Sequence, residues 1–216
     1  MIDNETLTFI QKQKAPLSSV IICAGRSSRM GQEKALLKIR NYTVLSLIVN
    51  SLNEYSETIA IVLNAHNHKM IRESLIESDI EWQGVHFAIN KNAEKGMFTS
   101  IKQGLESAVK EKPTLLHLID QPFIKDETYD ALENSLDDDH LIFQPSVKIN
   151  GKFRAGHPII FQPEFRDFLL KQPDDTNLKE VLKRFQDKIK YVEVDDEAIL
   201  HNINTMEEFE AKLKEI

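Results

Sequence analysis

The chain has 216 residues and is 41% hydrophobic, which suits one domain of ordinary size with a sizeable core. At 28% charged, and with no apolar run near the ~18–20 residues of a spanning helix, it does not read as a helical membrane protein. A net charge of −7 without a basic block argues against duplex nucleic acid as a partner, because phosphate neutralisation needs clustered Lys and Arg; a small anion in a local basic pocket stays compatible.

The first 16 residues are polar and mixed in charge. They lack the apolar region and cleavage pattern of a secretory signal, and read as an N-terminal extension to one domain over residues 17–216. Residues 18–24 (SSVIICA) read as a buried first strand. The single cysteine, Cys23, lies at its end; it excludes an internal disulfide framework and a Cys-based zinc site, and points to a reducing cytoplasm. Helix-period apolar residues then recur over 43–53, followed by a strand at 58–63, a helix at 69–76, a strand at 85–89, a helix at 97–109 and a strand at 114–119. Beyond Asp120, helices are predicted over 126–135, 163–170, 177–185 and 205–214, the last opened by a Thr205/Glu208 capping box. Strands are predicted at 141–143, 159–161 and 191–194, with a hairpin turn at Lys148-Ile-Asn-Gly151. This alternation predicts an α/β fold with a mainly parallel sheet, the second half inserting a substrate-facing loop and hairpin into the same sheet.

The strongest local signal follows the first strand: Ile22-Cys-Ala-Gly-Arg-Ser-Ser-Arg-Met-Gly-Gln-Glu-Lys-Ala-Leu-Leu37. Gly25 and Gly31 allow tight turns and close backbone approach. Successive backbone N–H groups there form an anion nest, beginning about Ala24. Ser27 and Ser28 add hydroxyl donors, while Arg26, Arg29 and Lys34 add three positive charges within nine residues. Those are the needs of a triphosphate. The spacing is neither that of a Walker A loop nor that of a dinucleotide fingerprint, which counts against an NAD(P)-dependent oxidoreductase. Asp120 sits where a strand ends, the usual ligand edge of an open α/β sheet, and a lone carboxylate there suits Mg²⁺.

Ala-Gly-x-x-x-Arg-Met-Gly-x-x-Lys after a first strand resembles the motif of the MobA-like nucleotidyltransferases of molybdenum cofactor synthesis, and the resemblance runs from about Ser18 to the C-terminus. It implies a three-layer Rossmann-like fold shared with sugar-nucleotide pyrophosphorylases. It also implies contacts from Arg29 and Lys34 to the triphosphate and a Mg²⁺ held by Asp120. Gly96-Met97-Phe-Thr-Ser100 resembles the segment that lies against base and ribose, although Met97 would serve equally as core packing. Gly156-His157-Pro resembles the Gly-His-Pro motif of the cytidylyltransferase branch, on the acceptor side. Asn202-Ile-Asn204-Thr-Met-Glu-Glu resembles a late segment whose Asp is a second metal ligand in some branches; two neutral asparagines make weaker ligands. Where that branch carries Gly-Asp-x-Gly-Ala-Arg, this chain has Asp174-Asp-Thr-Asn-Leu-Lys179, without the glycines.

The resemblance implies transfer of a nucleoside monophosphate to a phosphorylated pterin, molybdopterin, with release of pyrophosphate. Cys23-Ala-Gly and Gly-His-Pro favour CTP. GTP, another small-molecule acceptor, and a non-catalytic nucleotide-binding sensor or chaperone serving a molybdoenzyme all stay open, the asparagines at 202 and 204 being the best support for the last.

Overall fold

The computed structural model describes residues 15–25, 30–76 and 84–215. In chain order the strands and helices are β1 (Leu17–Ile22), β2 (Lys38–Ile39), β3 (Tyr42–Thr43), α1 (Val44–Asn53), β4 (Ser56–Asn64), α2 (His68–Ile76), β5 (Val85–Asn90) and α3 (Met97–Ser107). They continue with β6 (Thr114–Leu118), α4 (Asp126–Asn134), β7 (Ile142–Ile149), β8 (Lys152–Ala155), β9 (Ile159–Phe161), α5 (Pro163–Leu170), α6 (Leu178–Arg184), β10 (Ile189–Glu193) and α7 (Met206–Leu213).

Alternation along β1 divides the core. Leu17 and Ile21 face one side of the sheet with Val44, Leu45, Ile48 and Leu52 of α1 and with residues of α2, α4 and α7. Val20 and Ile22 face the other side with Phe98, Ile101 and Leu105 of α3 and residues of α5 and α6. Successive strand residues point to opposite faces, so a strand buried on both sides reads as one apolar run and yields three layers. Gly104 of α3 lies where a Cβ would be 2.2 Å from Val20 Cγ1, so the absent side chain lets this helix sit close on β1.

The main sheet runs β10-β7-β9-β6-β1-β4-β5, with β8 added to β7. β1 pairs in parallel with β4 and β6, β4 with β5, and β7 with β10. The antiparallel strand β9 is wedged between β6 and β7. The α/β, mainly parallel, Rossmann-like expectation therefore holds, and the second half does enter the same sheet. The β7–β8 hairpin turns on Asn150 (φ 50°) and Gly151 (φ 76°), the left-handed pair that an Asn-Gly turn provides. The expected capping box forms on α7, with Glu208 N donating to Thr205 Oγ1 at 3.2 Å.

Two features differ from the sequence reading. β7 is longer than the expected strand at 141–143, because pairing with β8 and β10 carries it through Pro145 to Ile149. The β2–β3 ladder was not foreseen: two residues a side are too short for periodicity, and its turn places Arg40 at φ 55°.

Candidate active site

The parallel strands β1, β4, β5 and β6 end on one edge of the sheet, where they border a cavity of about 430 Å³. Ligands in open α/β sheets bind at this edge because the chain turns away there and leaves a crevice. Ala24 and Gly25 line the cavity at the exit of β1, and Asp120 lines it just beyond β6. A Cβ on Gly25 would meet nothing within 4 Å among the described residues, so neither φ nor their packing demands glycine there. Gly31 does adopt a left-handed φ of 69°, which bends the chain toward Lys34. Arg26, Ser27, Ser28 and Arg29 lie outside the described residues.

Lys34 opens a short 3-10 turn over Lys34–Leu36 and points its ammonium at Asp120 Oδ2, 3.8 Å away. The same ammonium donates to Asn204 Oδ1 at 3.5 Å. The backbone N–H of Ile203 donates to the carbonyl of Asp120 at 2.7 Å, so the segment before α7 is held against the end of β6. Burial pushes the Asp120 carboxyl above its ordinary pKa, and the Lys34 charge offsets part of that shift. Asp120 Oδ1 is buried and has no hydrogen-bond partner among the described residues. Asn202 is exposed; its carbonyl accepts a bond from Asn204 Nδ2 at 3.2 Å.

Gly96 has φ 125° and ψ 169°, which only glycine adopts readily, and α3 starts at the next residue. Met97 is 59% exposed, so the core alternative for it fails; it stands in the rim of the first cavity. Ser100 is buried, with its hydroxyl accepting from Asn90 Nδ2 at 2.9 Å.

A second cavity of about 570 Å³ adjoins the first, and Met97 and Leu118 line both. Gly156 and His157 line it, opposite the loop and helix start at residues 174–179. A Cβ on Gly156 would lie 2.0 Å from the carbonyl oxygen of Ile199, so this glycine is required by close packing. His157 N–H donates to the same carbonyl at 3.1 Å, across a cis His157–Pro158 bond. Burial lowers the His157 pKa to about 4, so the ring is neutral at physiological pH. Its Nδ1 is buried and without a partner among the described residues.

Sequence reasoning missed the buried asparagines that hold the first cavity. Asn64 and Asn90 end β4 and β5 as register partners. Asn64 Nδ2 donates to the Ala24 carbonyl at 3.0 Å, and Asn67 Nδ2 donates to the Cys23 carbonyl at 2.9 Å. Asn90 binds Thr99 and Ser100 at the start of α3. The available signal was an amide side chain closing an apolar run, at TIAIVLN and VHFAIN. No described helix is long and apolar enough to cross a membrane.

A mainly parallel three-layer α/β sheet of this kind is shared with solved nucleotidyltransferase structures. Among solved structures it resembles a nucleotidyl transferase from Methanothermobacter thermautotroptrophicus, with a TM-score of 0.73 at 20% identity over 93% of this chain and 97% of that one. The model of the MobA-like NTP transferase domain matches residues 19–189, and the chain belongs to that family of nucleotidyltransferases. It is 26% identical over 214 residues to the "Probable molybdenum cofactor guanylyltransferase" of Clostridium perfringens (strain 13 / Type A), covering 91% of this chain and 96% of that protein. It is 24% identical over 193 residues to the molybdenum cofactor cytidylyltransferase of Escherichia coli (strain K12), covering 89% and 93%.

Proposed function

We propose that this nucleotidyltransferase, as one domain over residues 17–216, moves CMP from CTP to the phosphate of a molybdopterin-type pterin. The observation that carries the reading is the juxtaposition of two cavities at Met97 and Leu118, with Lys34 and Asp120 in the first. The names of the two curated relatives support the acceptor class. The Cys23-Ala-Gly and Gly156-His157-Pro segments support CTP, while the guanylyltransferase among the relatives makes GTP the alternative to test.

An acceptor phosphate oxygen attacks the α-phosphorus, the bond from that phosphorus to the bridging oxygen breaks, and pyrophosphate leaves with the electron pair. Both reactants are anionic, so charge neutralisation and alignment dominate the barrier. The glycine turn from Ala24 through Gly31, with Arg26, Ser27 and Ser28, wraps the phosphates. Arg29 and Lys34 stabilise charge developing toward pyrophosphate. Gly96, Met97 and Ser100 border the nucleoside, Gly156 and His157 border the acceptor in the second cavity, and Asn202 and Asn204 contact substrate from beside Lys34, where the two reactants meet.

The donor set fits one hard divalent cation, Mg²⁺. The orphaned Oδ1 of Asp120 supplies a carboxylate ligand, and among the described residues no group of three or more His, Cys, Asp or Glu side chains forms a closed cage. Asp120 would hold such a cation, which would supply charge neutralisation between the two anions.

Calorimetric titration with CTP and GTP, with and without Mg²⁺, tests the reading, followed by pyrophosphate release in the presence of molybdopterin. Mg²⁺-dependent CTP binding and turnover are expected. Tighter GTP binding moves the protein to the guanylyl branch, binding without turnover supports the sensor or chaperone alternative, and binding of neither nucleotide rejects the proposal.

A further inference from the structure

Asn67 stands outside every motif discussed above, one residue before α2, and is 1% exposed. Both donor hydrogens and the oxygen of its carboxamide are engaged. One Nδ2 hydrogen goes to the Cys23 carbonyl at 2.9 Å and the other to Glu33 Oε2 at 3.3 Å. Its Oδ1 accepts from Asn64 N at 3.0 Å, and Asn64 Oδ1 in return accepts from Asn67 N at 2.8 Å. Asn64 Nδ2 then reaches the Ala24 carbonyl.

Cys23 and Ala24 are the last residues before Gly25, whereas Glu33 is the residue before Lys34. The two flanks of the glycine-rich loop are thus joined through one buried side chain that belongs to neither. We propose that Asn67 is a positioning residue for nucleotide binding: it closes the base of this loop and so sets where Lys34 stands relative to the exit of β1. Lys34, the next residue, stands in this arrangement 3.8 Å from Asp120, so a displaced Glu33 would carry it out of place. Positioning of a charged group by a neighbour's hydrogen bonds is worth most where geometry must be held before the ligand arrives. The proposal rests on the nucleotidyltransferase reading of this cavity.

The test compares variants on both sides of the Asn67–Glu33 contact in the full chain. Glu33→Gln and Glu33→Ala carry the same charge, but only glutamine keeps an acceptor for Asn67 Nδ2. Calorimetry with CTP and GTP should find Glu33→Ala weaker than Glu33→Gln, by roughly 3–10-fold for a part-buried hydrogen bond at the base of this loop. Asn67→Asp places a carboxylate against Glu33 and the Cys23 carbonyl, and should raise the KM for the nucleotide by roughly 10–100-fold while leaving the KM for the acceptor near wild type. In the double variant Asn67→Asp/Glu33→Gln, glutamine donates back to aspartate, and nucleotide affinity should recover in part. Equal affinities for Glu33→Ala and Glu33→Gln, or no recovery in the double variant, would overturn the proposal, as would nucleotide and acceptor KM values that rise together. Should Asn67→Asp not fold, the Glu33 pair alone decides the matter. A wild-type chain that binds neither nucleotide would instead reject the underlying functional reading.

Discussion

The two cavities share Met97 and Leu118 but are walled differently. The first is framed by four parallel strand ends, and its backbone carbonyls are tied by the buried amides of Asn64 and Asn67. The second is walled by the first turns of α3 and by α6 together with the hairpin exit at Ala155–His157 and the loop at residues 174–177, which Lys102 anchors through the Gln172 carbonyl at 2.9 Å and Asp174 at 3.0 Å. Strand ends buried in a sheet cannot shift without breaking ladder bonds, whereas surface loops change shape and sequence at little cost. On the proposed reading, the first cavity holds the constant nucleotide group and the second can be refitted to different acceptors.

The largest effect should come from the constant side. Asp120→Asn is expected to lower turnover by about 10²–10³-fold, as for loss of one charge-stabilising group, measured by pyrophosphate release. The same substitution should raise Tm at neutral pH. Burial raises the Asp120 pKa, so the folded state binds the proton more tightly than the unfolded chain, and stability falls as pH climbs from the ordinary carboxylate range through the raised value. Removing that ionisation restores the lost stability, at roughly 2–4 °C for each ~1 kcal/mol in a chain of this size. A lowered Tm would mean that the carboxylate is needed by the fold and would blur the contrast.

Lys34→Ala should weaken triphosphate binding by roughly 10–100-fold, the loss of one charged hydrogen bond. It should also move the acid limb of the pH–rate profile upward, because the Lys34 charge is what holds the Asp120 pKa down against burial. An unmoved limb would detach the limb from Asp120.

Gly156→Ala probes the other cavity. Its Cβ has no room beside the Ile199 carbonyl, so the chain must shift at a cost of about 1–3 kcal/mol, seen in chemical denaturation. The KM for the acceptor should rise while nucleotide affinity stays unchanged; equal damage to both would show that the two cavities move as one body. The smallest effect is expected from Met97→Ala, a modest weakening of both ligands measured by calorimetry, because the side chain is a rim contact shared by both.

Much of the first cavity's wall was legible because its signals are local. Two glycines, two arginines and a lysine at set spacing all sit within one segment, and Asp120 follows directly on a clear strand. Met97 was ambiguous for a physical reason: an apolar residue at a helix start looks the same whether it faces core or cavity, and only its exposure separates the two. Gly156 was read as a contact to substrate; it lines the second cavity, and its backbone also packs against Ile199 from 43 residues further along the chain, a distance that local spacing does not encode. Asn64, Asn67 and Asn90 escaped notice because their bonds cross between elements.

Periodicity and turn chemistry by themselves determined the kinds of elements, the mainly parallel α/β class, the Asn-Gly hairpin and the capped last helix, since each depends on residues within a few positions of one another. Only the tertiary structure decided that β9 runs antiparallel between β6 and β7, that β7 extends through Pro145, and that Lys34 and Asp120 meet. Those outcomes depend on contacts between distant segments, whose hydrogen bonds and burial override what any one segment prefers.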